Sequence, residues 1–135
     1  MQISELKQGD TLPEISIPIT LQRLVMEAGA NRDLSLIHHD TKVAQATGAP
    51  DAFANTFFLI GMFERLMREW AGPQARIRKI GPLRMMIFNA VGDTVQFKGV
   101  VESVDAASGR VSLDMWVESE RGKTVTSKAV LEVKD

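Results

Sequence analysis

Only two histidines occur in the 135 residues, and they are neighbours, His38 and His39, within Arg32-Asp33-Leu34-Ser35-Leu36-Ile37-His38-His39-Asp40. A neutral imidazole can give or take a proton near pH 7 without a perturbed environment, which no other side chain does. The chain has no cysteine and no tyrosine, so proton transfer falls to these histidines, the carboxylates or the lysines. Asp33 and His38, five positions apart, cannot share a helix face, because each helical residue turns about 100°. A loop, however, can fold both onto one point. Carboxylate and imidazole would then form a general acid/base pair able to hold one water. Spacing alone is met equally by a carboxylate that turns the chain and a histidine satisfied in the core.

His38-His39-Asp40 makes a poor metal site. Consecutive side chains point apart, and the i, i+4 histidine pair of helical zinc sites is missing. Asn55-Thr56 opens the longest apolar segment. The first N–H groups of a helix lack partners and carry partial positive charge, so a developing oxyanion could sit there. An ordinary asparagine N-cap would look the same. Arg65, Arg68, Arg76, Arg78, Lys79 and Arg84 crowd six cations into twenty positions, suited either to phosphate or to a solvated face.

Several elements must position these groups. Residues 11–19 alternate around Pro13 and Pro18, as expected of an edge strand. Leu21, Leu24, Val25 and Ala28 form a helical stripe, with Thr20 as its cap and Gly29 as its stop. Residues 33–39 read as loop. Asp40 caps a short helix over 41–46, which Gly48 and Pro50 end. From Asn55 to Trp70 runs a helix apolar on nearly all sides for two turns, with Glu64–Arg68 and Arg65–Glu69 on its wet face. Such a helix must be wrapped. Residues 75–88 read as one long strand bent at Gly81-Pro82. Three further runs alternate around Val95–Val101, Val111–Val117 and Val125–Val133, the last against Thr124, Thr126, Lys128 and Glu132 on its polar side, with turns at Gly92-Asp93, Ser108-Gly109 and Arg121-Gly122. One antiparallel sheet around one apolar helix is an α+β arrangement, expected as a single domain over 1–135.

The totals exclude other classes. Net charge −1, from 16 basic and 17 acidic residues, does not suit a general nucleic-acid or anionic-membrane binder. Zero cysteines exclude disulfides and cysteine metal sites, and fit a reducing compartment. The first twenty residues hold no apolar run of signal-peptide length, and Phe57–Phe63 is too short to span a bilayer. The expectation is a cytoplasmic protein.

The order of elements resembles a hotdog fold, and the loop resembles the signature S-G-D-x-N-P-I-H-x-D of MaoC-like, (R)-specific enoyl-CoA hydratases. Asp33, Ile37, His38 and Asp40 match it; Arg32, Ser35 and Leu36 stand where the family has Gly, Asn and Pro. Downstream, Ala54-Asn55-Thr56-Phe57 stands where the family has A-H-G-M. The run Arg32-Asp33…His38-His39-Asp40, with Asp51-x-Phe53-x-Asn55, Trp70-Ala71-Gly72-Pro73 and Ile80-Gly81, is similar to one subgroup. This is the small subunit of heteromeric hydratases of actinobacterial steroid side-chain degradation. The resemblance covers roughly residues 28–105.

It implies reversible syn addition of water to a trans-2-enoyl-CoA. Asp33 and His38 would be catalytic, the Thr56 amide the oxyanion donor, and Asn55 a pocket or water-orienting residue. It implies no metal or redox cofactor, since coenzyme A comes with the substrate. It also implies at least a dimer, either a homodimer or a heteromer with a second MaoC-like subunit. A hotdog acyl-CoA thioesterase and a non-catalytic acyl-binding subunit remain open alternatives.

Overall fold

The structure is a computed structural model that describes residues 1–134. Its elements are β1 (Ile15–Pro18), α1 (Leu21–Ala30), α2 (Thr41–Ala46), α3 (Thr56–Ala71), β2 (Arg76–Ile80), β3 (Arg84–Met85), β4 (Thr94–Asp105), β5 (Arg110–Ser119) and β6 (Gly122–Glu132). Single 3-10 turns lie at Ile3–Glu5 and Leu36–His38. The strands make one antiparallel sheet in the order β1-β4-β5-β6-β2, with β3 also on β6.

Each long strand alternates because one face is buried. Val95, Phe97 and Val101 of β4, Val111, Leu113, Met115 and Val117 of β5, and Val125, Ala129 and Leu131 of β6 point inward. Against them pack Phe58, Leu59, Phe63, Leu66 and Met67 of α3. The Phe63 and Phe97 rings meet edge to face at 5.5 Å. A fully buried side chain of this size contributes about 1.5–3 kcal/mol, so this shared core holds α3 in place.

The helix ends follow the capping rules. Thr20 accepts from Arg23 N–H, Asp40 from Val43 N–H, and Asn55 from Phe58 N–H. The ion pairs Arg65–Glu69 (2.7 Å) and Glu64–Arg68 (3.5 Å) line the wet face of α3. β1 lies at the sheet edge, where its one proline, Pro18, removes no interior ladder bond.

Four expectations need correction. α1 runs through Gly29 to Ala30, with Asn31 as its C-cap. Residues 75–88 are not one strand: Gly81-Pro82 separates β2 from the two-residue β3, and 86–90 leave the sheet. The proline has no N–H for a ladder, and Gly81 has φ +112°. Thr124 points inward rather than to solvent, because the β5–β6 register shifts between Val117 and Glu118. Phe57 is 56% exposed, so the first turn of α3, apolar on nearly all sides, is not wrapped on all of them.

Candidate active site

The loop between α1 and α2 is fixed at both ends. Asp33 N–H bonds Ala28 O, and Asp40 N–H bonds Leu36 O. Arg32 has φ +54°, the one non-glycine residue with positive φ among those described. This left-handed turn costs a side-chain-bearing residue roughly 1–2 kcal/mol. It stands where the resembling signature has glycine, and it reverses the chain so that Asp33 faces the 3-10 turn carrying His38.

Asp33 Oδ2 lies 3.3 Å from His38 Nε2. The loop therefore brings together the two residues whose spacing suggested a pair. His38 is buried, its Nδ1 is 2.8 Å from the carbonyl oxygen of Phe53, and its ring meets the Phe53 ring edge-on at 5.3 Å. A carbonyl only accepts, so Nδ1–H donates to it, and in the neutral ring Nε2 carries the lone pair. That lone pair faces a carboxylate oxygen, also an acceptor. The pair thus has a place for one proton between its two heteroatoms, or for one water beside them that donates to both.

Asn55 is buried at the N-cap of α3. Its Oδ1 accepts from Phe58 N–H at 2.7 Å and its Nδ2 donates to Asp33 Oδ2 at 3.2 Å. The other Asp33 oxygen accepts from Ser35 N–H at 3.3 Å. Among the described residues the backbone N–H groups of Thr56 and Phe57 have no acceptor, and both sit at the positive end of the α3 dipole. The Thr56 hydroxyl donates to the Met85 thioether at 3.6 Å. His39 joins neither Asp33 nor His38. Among the described residues no three His, Asp or Glu side chains gather as a metal site. The cations from Arg65 to Arg84 do not converge either: Arg65 and Arg68 pair along α3, and Arg78 pairs with Glu132.

Sequence reasoning missed the support around the pair. Residues 52–54 pair with 89–91 through Ala54 N–H to Asn89 O and Val91 N–H to Ala52 O, both 2.9 Å. Phe88 lies 4.6 Å from Phe53, ring to ring. Phe53 thus fixes the His38 tautomer with its carbonyl and the ring position with its side chain. Its place in Asp51-x-Phe53-x-Asn55 was visible, but no spacing rule ties a backbone carbonyl to a histidine fifteen residues away. A groove of about 500 Å³ runs beside α1, lined by Thr20, Arg23, Met26, Glu27 and Ala30, with Phe58 of α3 at its floor. Exposed apolar side chains also collect on this side: Leu21, Val25 and Met26 on α1, Leu34 and Leu36 in the loop, Phe57, and Met85 to Phe88.

An antiparallel sheet wrapped round one apolar helix, with an acid/histidine pair at that helix's N-terminus, defines a hotdog protein of hydratase type. The chain belongs to the MaoC-like hydratase family. It is 34% identical over 127 residues to the 3-oxo-4,17-pregnadiene-20-carboxyl-CoA hydratase beta subunit of Mycobacterium tuberculosis, covering 94% of this chain and 96% of that one. The ChsH1–ChsH2 complex from Mycobacterium tuberculosis holds a chain of the same fold at 33% identity and TM-score 0.89, covering 95% of this chain and 98% of that chain. The (R)-hydratase from A. caviae involved in PHA biosynthesis shares the fold at TM-score 0.87 with 19% identity, over 96% of this chain and 98% of that one. No protein-family model matches the chain. Among the described residues no helix is long and apolar enough to cross a membrane.

Proposed function

We propose that this chain is an enoyl-CoA hydratase that adds water reversibly across the double bond of a trans-2-enoyl-CoA. The observation that carries the reading is the 3.3 Å approach of Asp33 Oδ2 to His38 Nε2, with Nδ1 held by Phe53 O. Water bound between them loses a proton to the pair as its oxygen forms the bond to C3. The pair returns a proton to C2, so atoms and charge balance with no oxidant, reductant or metal.

As the C3–O bond forms, negative charge moves onto the thioester oxygen. The Thr56 N–H, backed by the α3 dipole, is the donor that meets it. One such donor contributes about 3 kcal/mol to lowering the barrier. The substrate class proposed is a bulky, steroid side-chain enoyl-CoA, supported by the 34% identical relative whose name carries such a substrate. The assembly proposed is a heteromer with a second MaoC-like subunit, supported by the complex that contains the 33% identical chain. Exposed Phe57, Met86, Ile87 and Phe88 give that subunit an apolar surface to cover.

The test is loss of enoyl-thioester absorbance when purified protein meets crotonyl-, octenoyl- and steroid side-chain enoyl-CoA, alone and with a MaoC-like partner subunit. Decay with equilibrium formation of the 3-hydroxyacyl-CoA supports the reading, and the relative rates rank the substrates. Free thiol released from a saturated acyl-CoA would instead make it a thioesterase. Tight acyl-CoA binding with no turnover in any assembly would make it a binding subunit.

A further inference from the structure

We infer that Asn55 is a positioning residue, whose carboxamide locks Asp33 to the N-terminus of α3 and so sets the acid/base pair and the Thr56 amide in one frame. This rests on the hydratase reading for its catalytic consequence, though not for its geometry. The amide can have only one orientation. Phe58 N–H is a donor and lies 2.7 Å from Oδ1, so the end turned toward Asp33 is Nδ2, which donates at 3.2 Å. It reaches Oδ2, the same oxygen that faces His38 Nε2.

Capping alone does not require asparagine. Thr20 caps α1 and Asp40 caps α2 in this same chain, and Ser, Thr and Asp serve at N-caps about as well. A hydroxyl is too short to span from the cap to Asp33, and an aspartate would set two carboxylates together. Among the usual capping residues only asparagine offers an acceptor to the helix and a donor to the acid at once. The other bonds between the loop and residues 53–56 hold Ile37 and His38: Phe53 N–H to Ile37 O at 3.3 Å, and His38 Nδ1–H to Phe53 O. Asn55 is therefore what fixes the Oδ2 oxygen of Asp33 across a 22-residue separation. Because Thr56 follows directly, the direction of the acid and the place of the oxyanion donor are set by adjacent residues.

The experiment compares Asn55→Ser and Asn55→Asp with wild type and Asp33→Asn in the active assembly. Asn55→Ser keeps a capping oxygen, so its circular dichroism and melting should stay close to wild type, whereas Asn55→Asp keeps the cap but sets two carboxylates together and should melt lower. Turnover should fall about 10- to 100-fold, the range of a lost hydrogen bond to a charged group, with KM little changed. The nitrogen chemical shifts of the His38 ring, which report the contact at Nε2, supply a readout that capping would not move. No other ionisable side chain among the described residues pairs with His38. In Asn55→Ser these shifts should therefore depart from wild type in the direction they take in Asp33→Asn. Wild-type turnover in Asn55→Ser, or lost turnover with unmoved His38 ring shifts, overturns the inference. If wild type hydrates nothing, the hydratase reading fails alone, and the His38 ring shifts still decide whether Asn55 positions the pair.

Discussion

On the outer face of the sheet nearly every charge has a partner. Lys98 lies between Glu118 (2.8 Å) and Glu14 (3.8 Å), and Lys128 between Glu102 (2.6 Å) and Asp114 (3.0 Å). Trp116 donates to Glu118 and carries Lys123 over its ring. β4, β5 and β6 expose no large apolar side chain. The side formed by α1, the 31–40 loop, the start of α3 and residues 85–88 differs on every count. It holds a left-handed arginine, two N–H groups without acceptors among the described residues, a carboxylate facing an imidazole lone pair, and the exposed apolar side chains apart from Met1. The first face is complete within the chain. The second is left with valences that a substrate and a second subunit would fill, and departures from local rules of this kind mark functional sites.

Removing an open valence without harming the fold breaks that contrast most strongly. Thr56→Pro does so, since proline at the first helical position loses only an N–H the helix does not use. Asn55, with φ −82° and ψ 169°, already has the extended backbone a following proline prefers. Melting should hold or rise, while hydration should slow by about 100- to 1,000-fold, the usual effect of losing one oxyanion donor. An unchanged rate would remove Thr56 from the chemistry.

Arg32→Gly tests the strain. Relief of the left-handed conformation offsets the greater unfolded-state entropy of glycine, so chemical denaturation should show equal or higher stability, by up to about 1 kcal/mol. A clear loss of stability would mean that the Arg32 side chain holds the loop by contacts rather than merely tolerating its turn.

The outer face should respond least. Hydrogen bonds from Lys98 and from Trp116 hold Glu118 below the ordinary carboxylate range, and the bond to Glu118 raises Lys98 above its ordinary value. The depressed carboxyl stabilises the fold above its unfolded pKa and loses that contribution as pH falls through the folded one. The raised amine stabilises below its unfolded pKa and loses it as pH rises through the folded one. Lys98→Met should therefore lower melting slightly at neutral pH, with the difference vanishing in acid below the Glu118 titration. Both groups are solvent-screened, so the effect is small, and the hydration rate should not change.

Much of the fold was legible because periodicity reports burial within one element. The alternation of β4, β5 and β6, the apolar face of α3, and the caps Thr20, Asp40 and Asn55 were all readable in that way. The Asp33–His38 pair was legible only as a spacing, which the resemblance turned into a site. What spacing does not carry is contact between distant segments. Nothing local shows that the Phe53 carbonyl takes His38 Nδ1–H, that Asn55 reaches Asp33, or that residues 89–91 pair with 52–54. Met85 to Phe88 look like strand because they are apolar, yet their side chains are exposed beside the site. Apolar character records a tendency to be covered, and nothing among the described residues covers these.

The most direct test of the acid/base pair is the hydration rate of Asp33→Asn, measured with the enoyl-CoA that wild type turns over fastest and in the same assembly. The carboxamide in this variant would keep the size of the Asp33 side chain and could still accept from Ser35, but it could not take a proton. The account predicts a loss of about 100- to 10,000-fold with the fold retained, the contribution of a positioned general acid or base. A folded Asp33→Asn protein that hydrates the thioester at the wild-type rate would contradict it.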